Sequence, residues 1–398
     1  MSRLLEQKED FLREIGQNLN GANRSVFEGL RSSGEEQLSK LLPPSTKEEY
    51  WKYTKLTKIL KGTYSPQQPV IMEFLGESDE QNYIRNWEDM EAEEIASLPK
   101  LGVTDRKEEH FFDALNAARF SDGFCVYAEG DAARFEVYEN FRGPGSVSQK
   151  RNLVVVKKGA SLKLIHRLKG AARGAFANNL TEVYVEEGAH FEYIMIQDVQ
   201  GLSQIGSIYV EQKSNSVVRF HTASLSGDLN RNNLNIRVNG ENCESYLDGI
   251  SLGVNANHID HHTIVDHMQP NCMSSENYKG IFYDQSRGVF NGKVFVRQLA
   301  QKTNAFQSNQ NILMSDNSSV DSKPELEIYA DDVKCSHGST TGQFDEEAVF
   351  YLRSRGIGED SARQLLVQAF LAEITEAIQD EEARDELLSL LDLKIGSE

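Results

Sequence analysis

The sequence predicts a mainly β protein, a right-handed parallel β-helix flanked by N-terminal and C-terminal helical regions. Three observations lead there. Short runs rich in β-branched and aromatic residues fill the chain from about Gly123 onward. Small-residue turns separate them at Gly159-Ala160, Gly188-Ala189, Asn215-Ser216 and Glu241-Asn242, roughly every 26 to 29 residues, which is a solenoid period. Helical spacing is confined to the two ends. A strand–turn–strand unit cannot bury its apolar face alone, so it stacks on its neighbours. A β-sandwich is the competing fold. Its antiparallel hairpins want Asn-Gly or Asp-Gly turns throughout, and only a few candidates occur, such as Asn239-Gly240 and Asn291-Gly292.

Residues 1–119 read as the mainly helical N-terminal region. Leu5, Leu12, Ile15 and Leu19 recur at helical spacing, Leu38, Leu41 and Leu42 continue it, and Pro43-Pro44 stops it. Lys47-Glu48-Glu49-Tyr50-Trp51 are good helix formers. Residues 62–90 are polar and irregular, with Pro66 and Pro69, and the role of 62–110 stays open. A helix over His110 to Arg119 closes the region. Residues 120–341 form the β-helix core. Its polar runs Asn178-Asn179, Asn232-Asn233 and Asn309-Gln310-Asn311 suit tight corners between rungs. In the C-terminal helical region, 342–398, Asp345 caps a helix that Gly356 ends. A second helix presents Ala362, Leu365, Leu366, Ala369 and Phe370 on one face, and a short third runs from Asp385 to Leu393. The order suggests one body with a helical cap at each end.

The formal charge of −19 argues against nucleic acid and against an anionic membrane surface, since both are bound through clustered Lys and Arg. No stretch approaches the roughly 20 apolar residues of a membrane helix. The charged start, Met1 to Asp10, lacks the apolar core of a signal peptide, so a cytoplasmic location is expected. Gly29 to Gly34 has the glycine spacing of a phosphate loop, but Glu35-Glu36 stand where Lys and Ser or Thr are required, so no nucleotide is expected on this chain. Neither a G-x-S-x-G elbow nor an H-E-x-x-H motif is present. The enzymatic alternative is a β-helix polysaccharide hydrolase or lyase using an acidic pair such as Asp331-Asp332, in a class of enzymes that is usually secreted.

Four cysteines, Cys125, Cys243, Cys272 and Cys335, form no C-x-x-C pair, which excludes a disulfide framework and a self-contained Cys₄ site. Cys125 and Cys243 read as core strand residues, and Cys272 as a loop residue. Cys335 and His337 stand two apart, on one face of a strand. A thiolate and an imidazole are both iron ligands, but two ligands are too few for a stable cluster, so such a site would need a partner's ligands. The plain alternative is a buried thiol beside a His hydrogen-bonded to Asp331 or Asp332. In His258-Ile259-Asp260-His261-His262, strand alternation puts His258, Asp260 and His262 on one face and His261, with His267, on the other. That first face is either a divalent-metal site or an exposed polar surface that meets another protein.

The run Lys323 to Gly338, ending Lys334-Cys335-Ser336-His337-Gly338, resembles the SufB/SufD family of iron–sulfur cluster assembly scaffolds, as does Phe350-Tyr351-Leu352-Arg353-Ser354-Arg355-Gly356-Ile357. Tyr278-Lys279-Gly280, Phe290-Asn291-Gly292-Lys293, Ala300-Gln301 to Asn311, Leu115 to Ala118 and Glu48 to Thr54 fit the same family. The SufB branch carries a Glu after the motif His, whereas Gly338 stands here, as in the SufD branch. The resemblance implies a non-catalytic scaffold that pairs through its β-helix with a SufB-like paralogue. It implies docking of a SufC-type ATPase on the C-terminal helices. It also implies that His337 helps to hold a transient iron–sulfur cluster at the interface with the paralogue; Cys335, two residues before it, is the second candidate ligand. A SufB-type subunit is the nearest alternative, and a homodimer formed through the same strand edges is a further one.

Overall fold

The computed structural model describes residues 2–16, 25–65, 70–102, 110–130 and 132–396. Leu19, Pro66 and Pro69 lie outside the described residues. The centre is a parallel β-solenoid of about eight turns with helices at both ends of the chain. Two ladders run along it. In one, His190–Gln212, Val217–Ser224, Glu244–Gly253, Met273–Phe282, Asn304–Leu313 and Lys334–Gln343 stack in parallel. In the other, Leu229–Val238, His258–His267, Arg287–Val296 and Ser319–Ile328 do the same.

The turn column explains the sequence period. Gly159, Gly188, Asn215, Asn242, Asn271 and Lys302 all adopt left-handed backbone, with φ between 57° and 72°. Each is followed by a small, buried residue, in order Ala160, Ala189, Ser216, Cys243, Cys272 and Thr303. Where that residue is polar it closes its own corner. Ser216 Oγ donates to the Lys213 carbonyl, Cys243 Sγ to Gly240 at 3.3 Å and Thr303 Oγ1 to Ala300 at 2.8 Å. The fourth turn is therefore Asn242-Cys243, one residue beyond the Glu241-Asn242 read from sequence. Cys243 is a corner residue and not a strand residue, whereas Cys125 lies in the buried strand Phe124–Ala128 as expected. Cys272 is in a turn, as read, but fully buried.

The asparagine runs do not form corners. They lie inside Ser161–Val185, Leu229–Val238 and Asn304–Leu313. Adjacent rungs stand about 4.8 Å apart, so an inward amide can bond the rung below. Asn232 Nδ2 donates to Gln197 Oε1 (3.0 Å) and Asn309 Nδ2 to the Tyr278 carbonyl (3.2 Å).

The polar segment read as irregular contains two strands. Ile71–Leu75 pairs antiparallel with Ala133–Arg142, and Asn82–Asn86 with Phe124–Ala128, so they cap the first rung. Met72 and Phe74 pack on the solenoid core. The helix formers at Lys47 to Trp51 make only a single 3₁₀ turn, Glu49–Trp51, because Trp51 is drawn onto the solenoid wall. The helix Phe111–Arg119 forms as read.

The C-terminal helices do not cap the far end. Asp345 caps Glu346–Ser354, accepting from the Glu347 and Ala348 amides at 3.0 Å, and Gly356 follows at φ 88°. Glu359–Ala377 buries Ala362, Val367, Leu371 and Ile374, while Leu365 is exposed, so its inner face is rotated from the one read in sequence. The third helix is longer than expected, Glu381–Ile395. Both pack along the solenoid's flank against Ile165, Ile194, Ile250 and Ile281, tied by Arg167–Glu386 (2.6 Å) and Lys279–Glu373 (2.8 Å).

The left-handed corner at Asn242 gives a direct test. Asn242→Val forces a β-branched residue into that conformation and should cost about 1–2 kcal/mol, whereas Asn242→Gly should be near neutral. Urea unfolding midpoints of the two variants check this; equal losses would show that the corner tolerates any residue.

Candidate functional site

The two ends of the solenoid differ. The first rung is covered by antiparallel strands of the chain itself, but the last is not. Ser319–Ile328 stacks on Arg287–Val296, and Lys334–Gln343 on Asn304–Leu313, and neither has a second strand partner among the described residues. Two ten-residue edges therefore present unpaired backbone amides and carbonyls, a ready template for another chain.

Cys335 and His337 lie on the inner face of this last rung. Cys335 stacks over Ala305 and His337 over Gln307, both of which are buried. With no rung beyond them among the described residues, Cys335 is only half-buried against the core and His337 is exposed. Burial pushes the Cys335 thiol up from its ordinary value, so it is protonated until a cation or a partner favours the thiolate. Among the described residues neither Asp331 nor Asp332 bonds the His337 ring. Ser339 Oγ donates to Ser322 Oγ at 2.7 Å, tying the two final strands together beside it.

The column under His337 changes character along the solenoid. It reads Leu164, Tyr193, Phe220 and Leu247, then Glu276, Gln307 and His337. This column is apolar at one end and polar toward the open one, a feature that the sequence reading missed; it becomes visible only once the register is known. Glu276 is 1% exposed, accepts from Thr263 Oγ1 at 2.6 Å and from Gln307 Nε2 at 3.3 Å, and faces no cation. Burial pushes its carboxyl up to about 7, against the two hydrogen bonds.

The histidine cluster has the alternation expected, but its outer face is neither exposed nor open to a metal. The chain's own Glu48–Thr54 segment covers it. Trp51 stacks on the Arg231 guanidinium (3.8 Å), which reaches Asp260 at 2.7 Å. Thr54 Oγ1 donates to Asp260 at 2.5 Å and lies 2.9 Å from His258 Nε2, while His262 Nε2 lies 2.9 Å from the other Asp260 oxygen. Burial opposes charge on Asp260, but His262 and Arg231 outweigh it and hold the carboxyl far below the usual range. On the inner face His261 packs on Tyr278 and His267 Nε2 meets Ser274 Oγ at 2.9 Å. Burial holds both imidazoles down to about 4, hence neutral. Among the described residues no three His, Cys, Asp or Glu side chains converge to hold a metal ion. A cleft of about 120 Å³ between this segment and the solenoid is lined by Tyr50, Trp51, Phe112, Tyr209 and His262, away from the terminal rung.

The first C-terminal helix offers a second surface. Phe350 is 73% and Tyr351 58% exposed. Arg353 pairs with Glu359 at 3.0 Å, and the Arg355 guanidinium lies over the Tyr351 ring. No helix among the described residues is long and apolar enough to cross a membrane.

A parallel β-solenoid, sealed by its own strands at one end and open on a polar rung at the other, is the class of protein that this geometry defines. The family model described as SUF system FeS cluster assembly, SufBD core domain, matches residues 139–370, and the chain belongs to that family. It is 43% identical to the iron–sulfur cluster assembly protein SufD of Escherichia coli, over 42% of this chain and 40% of that one. An iron–sulfur cluster assembly SufBD family protein of Synechocystis is 33% identical over 58% and 53% of the two chains. Another, of Mycobacterium tuberculosis, is 30% identical over 74% and 76%. The chain thus spans about half the length of the first two relatives.

Glu276 makes stability depend on pH. An unfolded carboxyl titrates near 4.3, so between there and about 7 the folded state keeps a proton that the unfolded state has lost. Stability conferred by this group is therefore full below about pH 4 and falls as pH rises through 7. The stability difference between wild type and Glu276→Gln should shift against wild type by on the order of 2 kcal/mol from pH 5 to 8. Denaturant titrations at both pH values measure it; a difference independent of pH would mean that Glu276 ionises normally.

Proposed function

We propose that this chain is a non-catalytic scaffold subunit of iron–sulfur cluster assembly, of the SufD kind. One observation carries the reading: the solenoid's last rung is unpaired and places His337, beside Cys335, on its inner face. The unpaired edges suit a second β-solenoid, a SufB-like paralogue, which would continue the ladder across the interface. Imidazole and thiolate are both iron ligands. Two from this chain leave the rest to the partner, so the nascent cluster is cargo held at the junction. Family membership supports the same role. Gly338 after the motif His favours the SufD branch over SufB.

The helix Glu346–Ser354, with Phe350 and Tyr351 outward, is the dock we assign to a SufC-type ATPase. Glu35-Glu36 spoil the phosphate-loop spacing of Gly29 to Gly34, and no other such glycine pair is followed by Lys and Ser or Thr, so ATP is assigned to that partner and not to this chain. Movement of the ATPase would reach the cluster through helices bolted to the solenoid flank by Arg167–Glu386 and Lys279–Glu373. Alone, the same open edges can pair two copies of this chain.

The test is a co-purification from cells expressing the three subunits, followed by cluster formation. His337→Ala should leave the complex mass unchanged and lower cluster-derived absorbance at least tenfold, the usual loss for a metal site. Normal cluster formation by this variant would overturn the site. Recovery of the chain without an ATPase or a paralogue would overturn the scaffold.

A further inference from the structure

The polar column beneath the open rung has one atom without a bond. Gln307 is 4% exposed, and its Nε2 donates to Glu276, which is itself held by Thr263. Its other amide atom, Oε1, is buried and without a hydrogen-bond partner. A buried carbonyl left unpaired costs about 1–3 kcal/mol. The next residue of the same column, one rung on and on the same face, is His337. Its ring is exposed. Three facts thus converge: the register, the commitment of Nε2 to Glu276, and the orphaned Oε1.

We infer that Gln307 is a positioning residue for His337, its carbonyl accepting one imidazole N–H so that the other ring nitrogen faces the open end as a ligand. The bond chain runs Thr263 to Glu276 from one side and His337 through Gln307 to Glu276 from the other. A metal-binding His usually donates its second N–H to a carboxylate or carbonyl, which fixes tautomer and ring orientation. Here that acceptor is supplied one rung deeper, on a rigid ladder, and is anchored in turn by the buried Glu276 carboxyl. The purpose of the contact rests on His337 being a cluster ligand; the contact itself does not.

The test uses the full chain with ring-labelled histidine, the His337 resonance being assigned by its loss in His337→Ala. The double variant Glu276→Gln/Gln307→Glu keeps every bond in the chain but moves the carboxylate next to the imidazole. The His337 pKa should then rise by about one unit or more. Gln307→Met, of similar size but with no acceptor, should release the tautomer, so that the two ring nitrogens give averaged shifts. In the assembled complex Gln307→Met should lower cluster formation about tenfold or more at unchanged complex mass. A His337 resonance that titrates identically in wild type and in the double variant would overturn the inference, even if Gln307→Met fails to fold. If the titration shifts while His337→Ala still forms clusters, the contact stands and only the ligand role falls.

Discussion

Every rung of a parallel ladder needs a neighbour on each side, and this requirement organises the whole molecule. A strand edge left bare exposes a row of unpaired amides and carbonyls. The chain meets the requirement at its first rung with Ile71–Leu75 and Asn82–Asn86, turned antiparallel onto the solenoid. Among the described residues it does not meet it at the last rung, where Ser319–Ile328 and Lys334–Gln343 stop with one face open. The C-terminal helices could have covered that face. They lie along the flank instead, because their apolar residues match a row of Ile and Leu on the outer wall. The open end is thus a consequence of where apolar surface was placed.

The same ladder sets the chemistry inside. Stacked positions repeat every rung, so a column is either apolar throughout or changes at a definite step. Below His337 it changes at Glu276, after Leu247. A lone buried carboxyl without a cation is costly to ionise, and here it has been retained next to the open end with two hydrogen bonds. The second ladder shows the opposite solution. Asp260 is equally buried but carries its charge, because Arg231, His262 and Thr54 surround it. That cluster locks the N-terminal segment onto the solenoid wall, and Lys323 extends the clamp from Glu49 to the terminal strand. The charged Asp260 is therefore structural cement, while the Glu276 carboxyl lies beneath the candidate site.

The sequence by itself determined the repeat, the fold class, the two helical regions and the family, because each depends on local signals. Left-handed turns favour Gly and Asn, small corner residues recur with the rung, and Lys334 to Gly338 is a contiguous motif. The same locality explains the misses. The caps at Ile71–Leu75 and Asn82–Asn86 are short and polar-flanked, and they become strands only because a sheet edge waits for them. The Asn runs read as corner formers because Asn favours turns, yet rung-to-rung bonding holds them inside strands. His258, Asp260 and His262 had the spacing of a metal face, and nothing in that spacing reveals that residues two hundred positions earlier cover it.

His337 was legible and its setting was not. Its motif marked it, but which residue lies beneath it depends on a register in which the rungs differ in length, 27 residues between Val217 and Glu244 and 31 between Met273 and Asn304. That register brings Gln307 and Glu276 under it and, among the described residues, stacks no strand above. Local chemistry selects the kind of rung; only the stacking of the rungs decides which side chains meet and which end stays open, because that choice is made by surfaces far apart in the chain.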